Sequence, residues 1–314
     1  MNEKISLILR LYEEKVPLGE IQERMGIKNG EFNYLLRKIR EIGYNVTKSY
    51  SSDGNITVKL NTTLNFKKDN TVRISIKDRV FRAIFISDLH IGSIYSNPRI
   101  IRKIYEYAIA HDIHIIFNGG DMIENIYPDS RTPLRYDTLQ KQLDAVIREI
   151  PHDPHIIMMT TYGNHDYFSI LHHGFDVARY VEDRRYDIVS LGYGQSKIQV
   201  KDDVIGLVHE IKHQDDSVVT GATITYKGHS HKSKMKGNDL IYIPSACEHK
   251  NPQYEFEPLI GFIDAEFIFY DKKIAKINNK QLAIIGDDIR LANEEAITVK
   301  VDFEERPKTY GKKK

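Results

Sequence analysis

One pattern constrains this chain more than any other: a short apolar run of strand type, followed at once by a cluster of Asp, Asn and His. Phe81–Ser87 runs into Asp88-Leu89-His90, Ile113–Asn118 into Gly119-Gly120-Asp121, and Ile156–Thr160 into Gly163-Asn164-His165-Asp166. Val204–Val208 then leads to His209, and Ile224–Lys227 to Gly228-His229-Ser230-His231. Apolar residues at helical spacing fill Pro98–Ala110 and Thr138–Glu149, and another such segment lies near Asp176–Asp183. Strand alternating with helix predicts a layered α/β fold, and such folds gather ligands where strands end. Three successive strands thus deliver carboxylate, amide and imidazole groups to one edge. In extended chain, Asp-x-His and His-x-His would each place their outer side chains on the same face. From Ile188 onward strands dominate, through Leu240–Ile243 to Gly261–Tyr270, so the second half reads as mostly β.

Taken singly, each cluster has a duller reading. Asp-x-His after a strand is a common turn, His209 alone is unremarkable, and Asn164 or Asp166 alone would serve as a helix cap. Together they ask for chemistry, and composition narrows which. The single cysteine, Cys247, excludes an internal disulfide and a thiolate zinc site, so any metal must be held by Asp, Asn and His. Cys247 itself reads as a small buried apolar residue. Absence of an eighteen-residue apolar run, or of a charged start followed by an apolar core, predicts a cytoplasmic protein with no membrane segment. Oligomeric state is not fixed by the sequence, and homo-oligomerisation stays open.

The front of the chain has a different character. Residues 1–79 carry a net charge of +5, against −4 for the remainder. Stripes of apolar residues predict helices over Asn2–Tyr12, Pro17–Met25 and from Asn29 to Ile42, and Ser51-Ser52-Asp53-Gly54 predicts a hairpin turn between strands Tyr44–Tyr50 and Asn55–Leu60. This order resembles a winged helix-turn-helix over residues 1–60. The resemblance implies that the third helix offers Asn33, Arg37, Lys38 and Arg40 to a nucleic-acid groove, with Lys48 and Lys59 of the wing near phosphates. A module for dimerisation or partner docking is the alternative. Residues 61–79 read as a linker, with a weak alternation at Val72, Ile74 and Ile76 that is compatible with an edge strand. A domain over 80–303 follows, and then a basic tail, 304–314, expected to be disordered.

The five clusters, in their order, resemble the calcineurin-like metallophosphoesterases, whose blocks are D-x-H, G-D, G-N-H-D/E, a lone H and G-H-x-H. That resemblance covers roughly residues 80–250. It implies β-sheets flanked by helices and two divalent metal ions, manganese in the first place and iron or zinc as alternatives. One ion falls to Asp88, His90, Asp121 and His231, and the other to Asp121, Asn164, His209 and His229, so that Asp121 bridges them. A metal-activated water is then the nucleophile. His165 is implied as the acid that protonates the leaving oxygen, with Asp166 orienting its imidazole.

The second block lacks the D-x-x-D-R-G extension of phosphoprotein phosphatases, reading Asp121-Met122-Ile123-Glu124-Asn125, and the third ends in Asp166. Both features are similar to the phosphodiesterase and nuclease branches. Ile86–Ser93 and Asp121–Pro128 also resemble the phosphodiesterase domain in the small subunit of archaeal family-D DNA polymerase. The sequence therefore points to a metal-dependent nuclease acting on DNA. A phosphodiesterase or phosphatase for small molecules or cyclic nucleotides is the alternative, and a DNA-binding scaffold with a weakly active domain a further one. His172-His173 follows the third block closely enough to line a substrate cleft.

Overall fold

The structure is a computed structural model and describes residues 2–14, 16, 18–41, 45–61, 71–128, 132–211, 218–232, 234–236, 239–248 and 256–299. Three helices come first, α1 (Asn2–Glu13), α2 (Leu18–Met25) and α3 (Asn29–Glu41), followed by the hairpin β1 (Asn45–Ser51) and β2 (Ile56–Asn61). Their apolar stripes meet in a small core of their own, in which Ile8, Ile21, Phe32, Leu35 and Ile39 pack with Val46 of β1.

Strand β3 (Thr71–Ser75) then leads into an alternation of strand and helix: β4 (Val80–Ile86), α4 (Arg99–Ala110), β5 (Ile115–Asn118), α5 (Leu139–Glu149) and β6 (Ile157–Tyr162). Helices α6 (Asn164–His173) and α7 (Val177–Glu182) follow, then β7 (Ile188–Tyr193), β8 (Gln195–Val200), β9 (Asp203–Val208), β10 (Ile224–Lys227), β11 (Lys234–Lys236) and β12 (Leu240–Tyr242). A long antiparallel meander closes the described chain: β13 (Gly261–Tyr270), β14 (Lys273–Ile285) and β15 (Asp288–Thr298).

These strands make two sheets. One has the order β15-β14-β13-β4-β5-β6-β7, the other β11-β12-β10-β9-β8-β3-β1-β2. Between them lies an apolar layer of Phe81, Phe85, Phe117, Tyr226 and Phe267, all fully buried. The other face of the first sheet packs against α4, α5 and α7 through Ile101, Ile104, Leu143, Val146 and Val181. This is the layered α/β architecture that the sequence predicts. Short parallel strands β4, β5 and β6 are buried on both faces, which is why they read as unbroken apolar runs.

Three departures from the sequence reading stand out. The 61–79 linker contains β3, which is no edge: it pairs in parallel with β1 on one side and with β8 on the other. Ile74 is buried in the inter-sheet layer, and Val72 and Ile76 pack against it, so the weak alternation was a genuine strand signal. The hairpin of the front region is thereby continuous with the larger sheet. Helix α6 and the β14–β15 hairpin were not predicted: α6 follows directly on the third cluster, and β15 is exposed along most of its length, leaving no clean alternation to read. Residues 62–70 and the tail 304–314 lie outside the described residues. Among the described residues no helix is long and apolar enough to cross a membrane.

Candidate metal centre

Strands β4, β5 and β6 end side by side, and the loops that follow are stitched together by their backbones. Asp88 N donates to Gly120 O at 2.9 Å, while Leu89 N and His90 N donate to Asp121 O at 2.9 and 3.0 Å. From the opposite sheet, β9 ends before His209 and β10 before His229 and His231, and Gly228 N donates to Val208 O at 3.0 Å. The clusters thus converge across the ends of two facing sheets, where the sequence suggested one edge.

Extended geometry is not what aims the side chains. Asp88, His90, Asp121, His229 and His231 have φ of 57°, 43°, 51°, 71° and 53°, making up five of the nine non-glycine residues with positive φ among the described residues. Each left-handed turn costs on the order of 1 kcal/mol or more, and its concentration here marks a site that the surrounding fold holds against its local preference. Close approach has the same origin. A Cβ on Gly163 would sit 2.3 Å from Asp121 Oδ1, and one on Gly120 would sit 2.2 Å from His209 Nδ1.

Two overlapping donor groups result. In the first, His231 Nε2 lies 3.3 Å from Asp88 Oδ1 and 3.2 Å from His90 Nε2, which is 3.8 Å from Asp121 Oδ2. In the second, His209 Nε2 lies 3.0 Å from Asp121 Oδ2 and 3.2 Å from Asn164 Oδ1, which is 3.0 Å from His229 Nδ1. Asp121 Oδ2 belongs to both groups, because Oδ1 is taken by the His165 backbone N–H at 2.9 Å. Donors held about 2.0–2.2 Å from one ion lie about 3–3.5 Å from each other, so both groups fit a divalent cation with nitrogen and oxygen ligands.

The far sides of the rings are fixed as well. His209 Nδ1 donates to Gly119 O at 2.6 Å, and His90 Nδ1 lies 2.7 Å from Glu124 Oε2, which leaves Nε2 of each ring facing inward. Burial disfavours charge on Asp88, but His231 beside it outweighs burial and holds the carboxyl down at about 2. Burial likewise opposes a proton on His209, yet Asp121 raises it to about 9, while Glu248 and Glu124 push His90 well above its ordinary range. His229 is pushed the other way, by burial and by His209. Asp88, Asp121, Glu124 and Glu248 are all buried here, so the cage calls for positive charge.

His165 is assigned to neither donor group, although a ring nitrogen lies within 4.8 Å of ligand atoms of His90 and Asp121. Its Nδ1 donates to the backbone carbonyl of Glu124 at 2.6 Å, and its ring meets His90 edge to face at 4.6 Å and Tyr127 at 5.0 Å. Asp166 does not orient this imidazole, which corrects the sequence expectation. Sitting in the first turn of α6, it reaches back to free backbone donors, accepting from Gly163 N at 2.9 Å, Met122 N at 3.1 Å and Ile123 N at 3.2 Å. Its work is to pin the Asp121 loop to the start of the helix, and burial next to Asp121 raises its carboxyl to about 6.

Sequence reasoning missed Glu124 and Glu248. Glu124 stands in the stretch after Asp121 that the second block opens, where no role is assigned to it, and Glu248 lies in the loop after β12 and in none of the blocks. His172 stacks on Phe168 at 3.9 Å, and Phe168 packs on Tyr127 at 4.1 Å, so a row of rings runs outward from His165.

Part of the expected nucleic-acid face of α3 meets α7. Asn33 Nδ2 donates to Glu182 O at 2.6 Å and Arg37 Nη1 pairs with Asp183 Oδ2 at 2.5 Å, both at the end of α7. Lys48 lines the same small cleft of about 190 Å³. Backbone carbonyls and carboxylates at the C-terminal end of α7 attract these donors. Lys38 Nζ lies over the Tyr34 ring at 5.7 Å. The side chains of Arg40 and Lys59 lie outside the described residues.

Comparison with known proteins bears on the same region. The family model described as calcineurin-like phosphoesterase matches residues 81–279. Among solved structures, GAP50, the anchor in the inner membrane complex of Plasmodium, is similar with TM-score 0.40 and 10% identity, over 71% of this chain and 90% of that one. The calcineurin-like phosphoesterase YfkN from Bacillus subtilis is similar with TM-score 0.31 and 8% identity, over 69% and 89%. A comparison with curated proteins finds no match.

Proposed function

Because the chain belongs to the calcineurin-like phosphoesterase family, and is therefore a metal-dependent phosphoesterase, we propose that it hydrolyses phosphodiesters, with a polynucleotide, DNA foremost, as substrate. The observation that carries the hydrolytic reading is the shared position of Asp121 Oδ2 between two complete donor groups, with His165 at their edge. We assign Asp88, His90, Asp121 and His231 to one ion and Asp121, Asn164, His209 and His229 to the other. Bound there, two divalent ions, manganese by preference and iron or zinc otherwise, supply an acidified water and shield the phosphoryl oxygens.

The chain's own residues supply the rest. Asp121 fixes the spacing of the two groups, and its Oδ1, held by His165 N, ties that spacing to the acid's own residue. With Nδ1–H committed to Glu124 O, His165 has Nε2 from which to give a proton to the leaving oxygen. The aromatic rings of Tyr127, Phe168 and His172 beside it support a substrate with flat rings, since aromatic side chains suit the bases of a single strand. Residues 1–60 would then act as a winged-helix-like module that concentrates the enzyme on nucleic acid.

A second reading, a small-molecule or cyclic-nucleotide phosphodiesterase, is favoured by one observation: Asn33 and Arg37 of α3 are engaged by α7. Incubating manganese-loaded protein with end-labelled single-stranded DNA, duplex DNA, RNA, cyclic nucleotides and bis-p-nitrophenyl phosphate separates the two, with His165→Ala as the blank. Polynucleotide cleavage above the blank is expected. Turnover of small diesters alone would move the substrate to the second reading, and no turnover above the blank would sink the enzyme reading.

A further inference from the structure

We infer that Glu248 is a positioning residue of the first metal group: its carboxylate faces the outer nitrogen of His231 and, with Glu124 on His90, makes that group the more strongly charged of the two. This rests on the two-ion reading above. Glu248 belongs to none of the five sequence blocks and follows β12, whose loop packs directly on the loop after β4.

The placement is specific. Glu248 is fully buried, and its Oε2 lies 3.5 Å from His231 Nδ1 and 3.8 Å from His90 Nε2. Oε1 lies 3.5 Å from Ser93 Oγ. The Ser245 hydroxyl accepts from Glu248 N at 3.1 Å and is within 3.2 Å of both Glu248 O and Asp88 O, tying the turn that carries Glu248 to the turn that carries Asp88. Ala246 N donates to Ser87 O at 2.8 Å and reinforces that tie. A carboxylate removed completely from water is costly unless positive charge faces it, and here the facing groups are two imidazoles of one donor group.

The two groups differ accordingly. Around the first stand Asp88, the shared Asp121, Glu124 behind His90 and Glu248 behind His231. Around the second, the shared Asp121 is joined by the neutral Asn164, the outer nitrogen of His209 faces the neutral carbonyl of Gly119, and a single further carboxylate, Glu210, stands 3.8 Å from the outer nitrogen of the partly exposed His229. More buried carboxylates surround the first group than the second, so the first group binds its ion more tightly, and Glu248 is one cause of the difference.

The test is a calorimetric titration of the metal-stripped full chain with Mn²⁺, comparing wild type with Glu248→Gln, which keeps shape and removes charge. Two binding steps of unequal affinity are expected for wild type. In Glu248→Gln the tighter step should weaken about 10–100-fold while the weaker one stays within about twofold. Co²⁺ absorption gives a second readout, in which the spectrum of the first equivalent should change and that of the second should not. Wild-type protein that fails to take up two ions would overturn the two-ion reading itself. Two wild-type steps left unaltered by Glu248→Gln would overturn the role of Glu248 alone. So would equal weakening of both steps together with earlier thermal unfolding of the metal-free variant, the mark of a purely structural residue. Should Glu248→Gln not fold, Glu248→Asp decides: a smaller loss confined to the tighter step is expected, and a wild-type isotherm or equal loss at both steps overturns the assignment.

Discussion

The rings of Phe85 and Tyr226 lie face to face across the two sheets, with centroids 3.7 Å apart and planes 10° from parallel. Each stands three residues before a donor, Phe85 before Asp88 and Tyr226 before His229, so this contact sets how far β4 and β10 advance toward one another. The Tyr226 hydroxyl also donates to Asn279 Oδ1 at 2.6 Å, anchoring the ring from β14. Phe85→Ala should therefore cost about 3–5 kcal/mol of stability and weaken metal binding as well. Tyr226→Phe keeps the stack, and should cost about 1 kcal/mol with metal binding unchanged. Urea unfolding and Mn²⁺ titration of both variants check this; equal metal affinity in Phe85→Ala and wild type would refute the link between core and site.

Glu124 O and Asp166 give His165 and its neighbours separable roles. His165→Ala should lower kcat about 10²–10⁴-fold while two ions still bind, because the ring is in neither donor group. Asp166→Asn replaces an acceptor of three backbone N–H groups with a half-donor, and should destabilise the fold by about 1–3 kcal/mol and loosen metal binding. A variant at Asp166 that is normally stable and loads metal normally, yet loses activity like His165→Ala, would restore the imidazole-orienting role that the sequence suggested.

Gly163 offers a sharper probe of close packing. An added Cβ would meet Asp121 Oδ1 at 2.3 Å and His209 Cδ2 at 2.5 Å, and both belong to rigidly held groups. Gly163→Ala should thus separate the two residues, weakening at least one Mn²⁺ step by about 10-fold or more while the far-UV circular dichroism stays that of wild type. An unchanged isotherm would mean that the site relaxes around the methyl group.

The alternation of buried strand and helix made the layered core legible, since β4, β5 and β6 are largely apolar runs with polar stops. The donor residues were legible for the same reason: each sits where such a run ends. What the sequence concealed depends on long-range placement. Glu124 and Glu248 acquire meaning only when His90 and His231 are seen beside them, 34 residues away in one case. The family resemblance implies Asp166 as a partner of His165, but adjacency in the first turn of a helix sends their side chains apart. β3 was weak as a pattern because only Ile74 is fully buried, and its membership of the sheet comes from neighbours on both sides.

The docking of α3 on α7 leads to the last prediction. Gly30 approaches Asp183 so closely that a Cβ would lie 2.6 Å from its carbonyl oxygen, and Arg37 and Asn33 hold the same helix end through polar contacts. Half-exposed ion pairs of this kind contribute little, about 0–1 kcal/mol, so Arg37→Ala should leave overall stability nearly unchanged. Gly30→Ala, which forces backbone apart, should open the seam and raise hydrogen exchange in α3 and α7 while leaving metal binding intact. If polynucleotide is bound, a residue occupied by α7 cannot also neutralise a phosphate, so Arg37→Ala should leave the salt dependence of binding as it is in wild type. A slope reduced by about one unit would instead show that α3 leaves α7 to meet nucleic acid, and the intramolecular contact would then be a closed state that substrate opens.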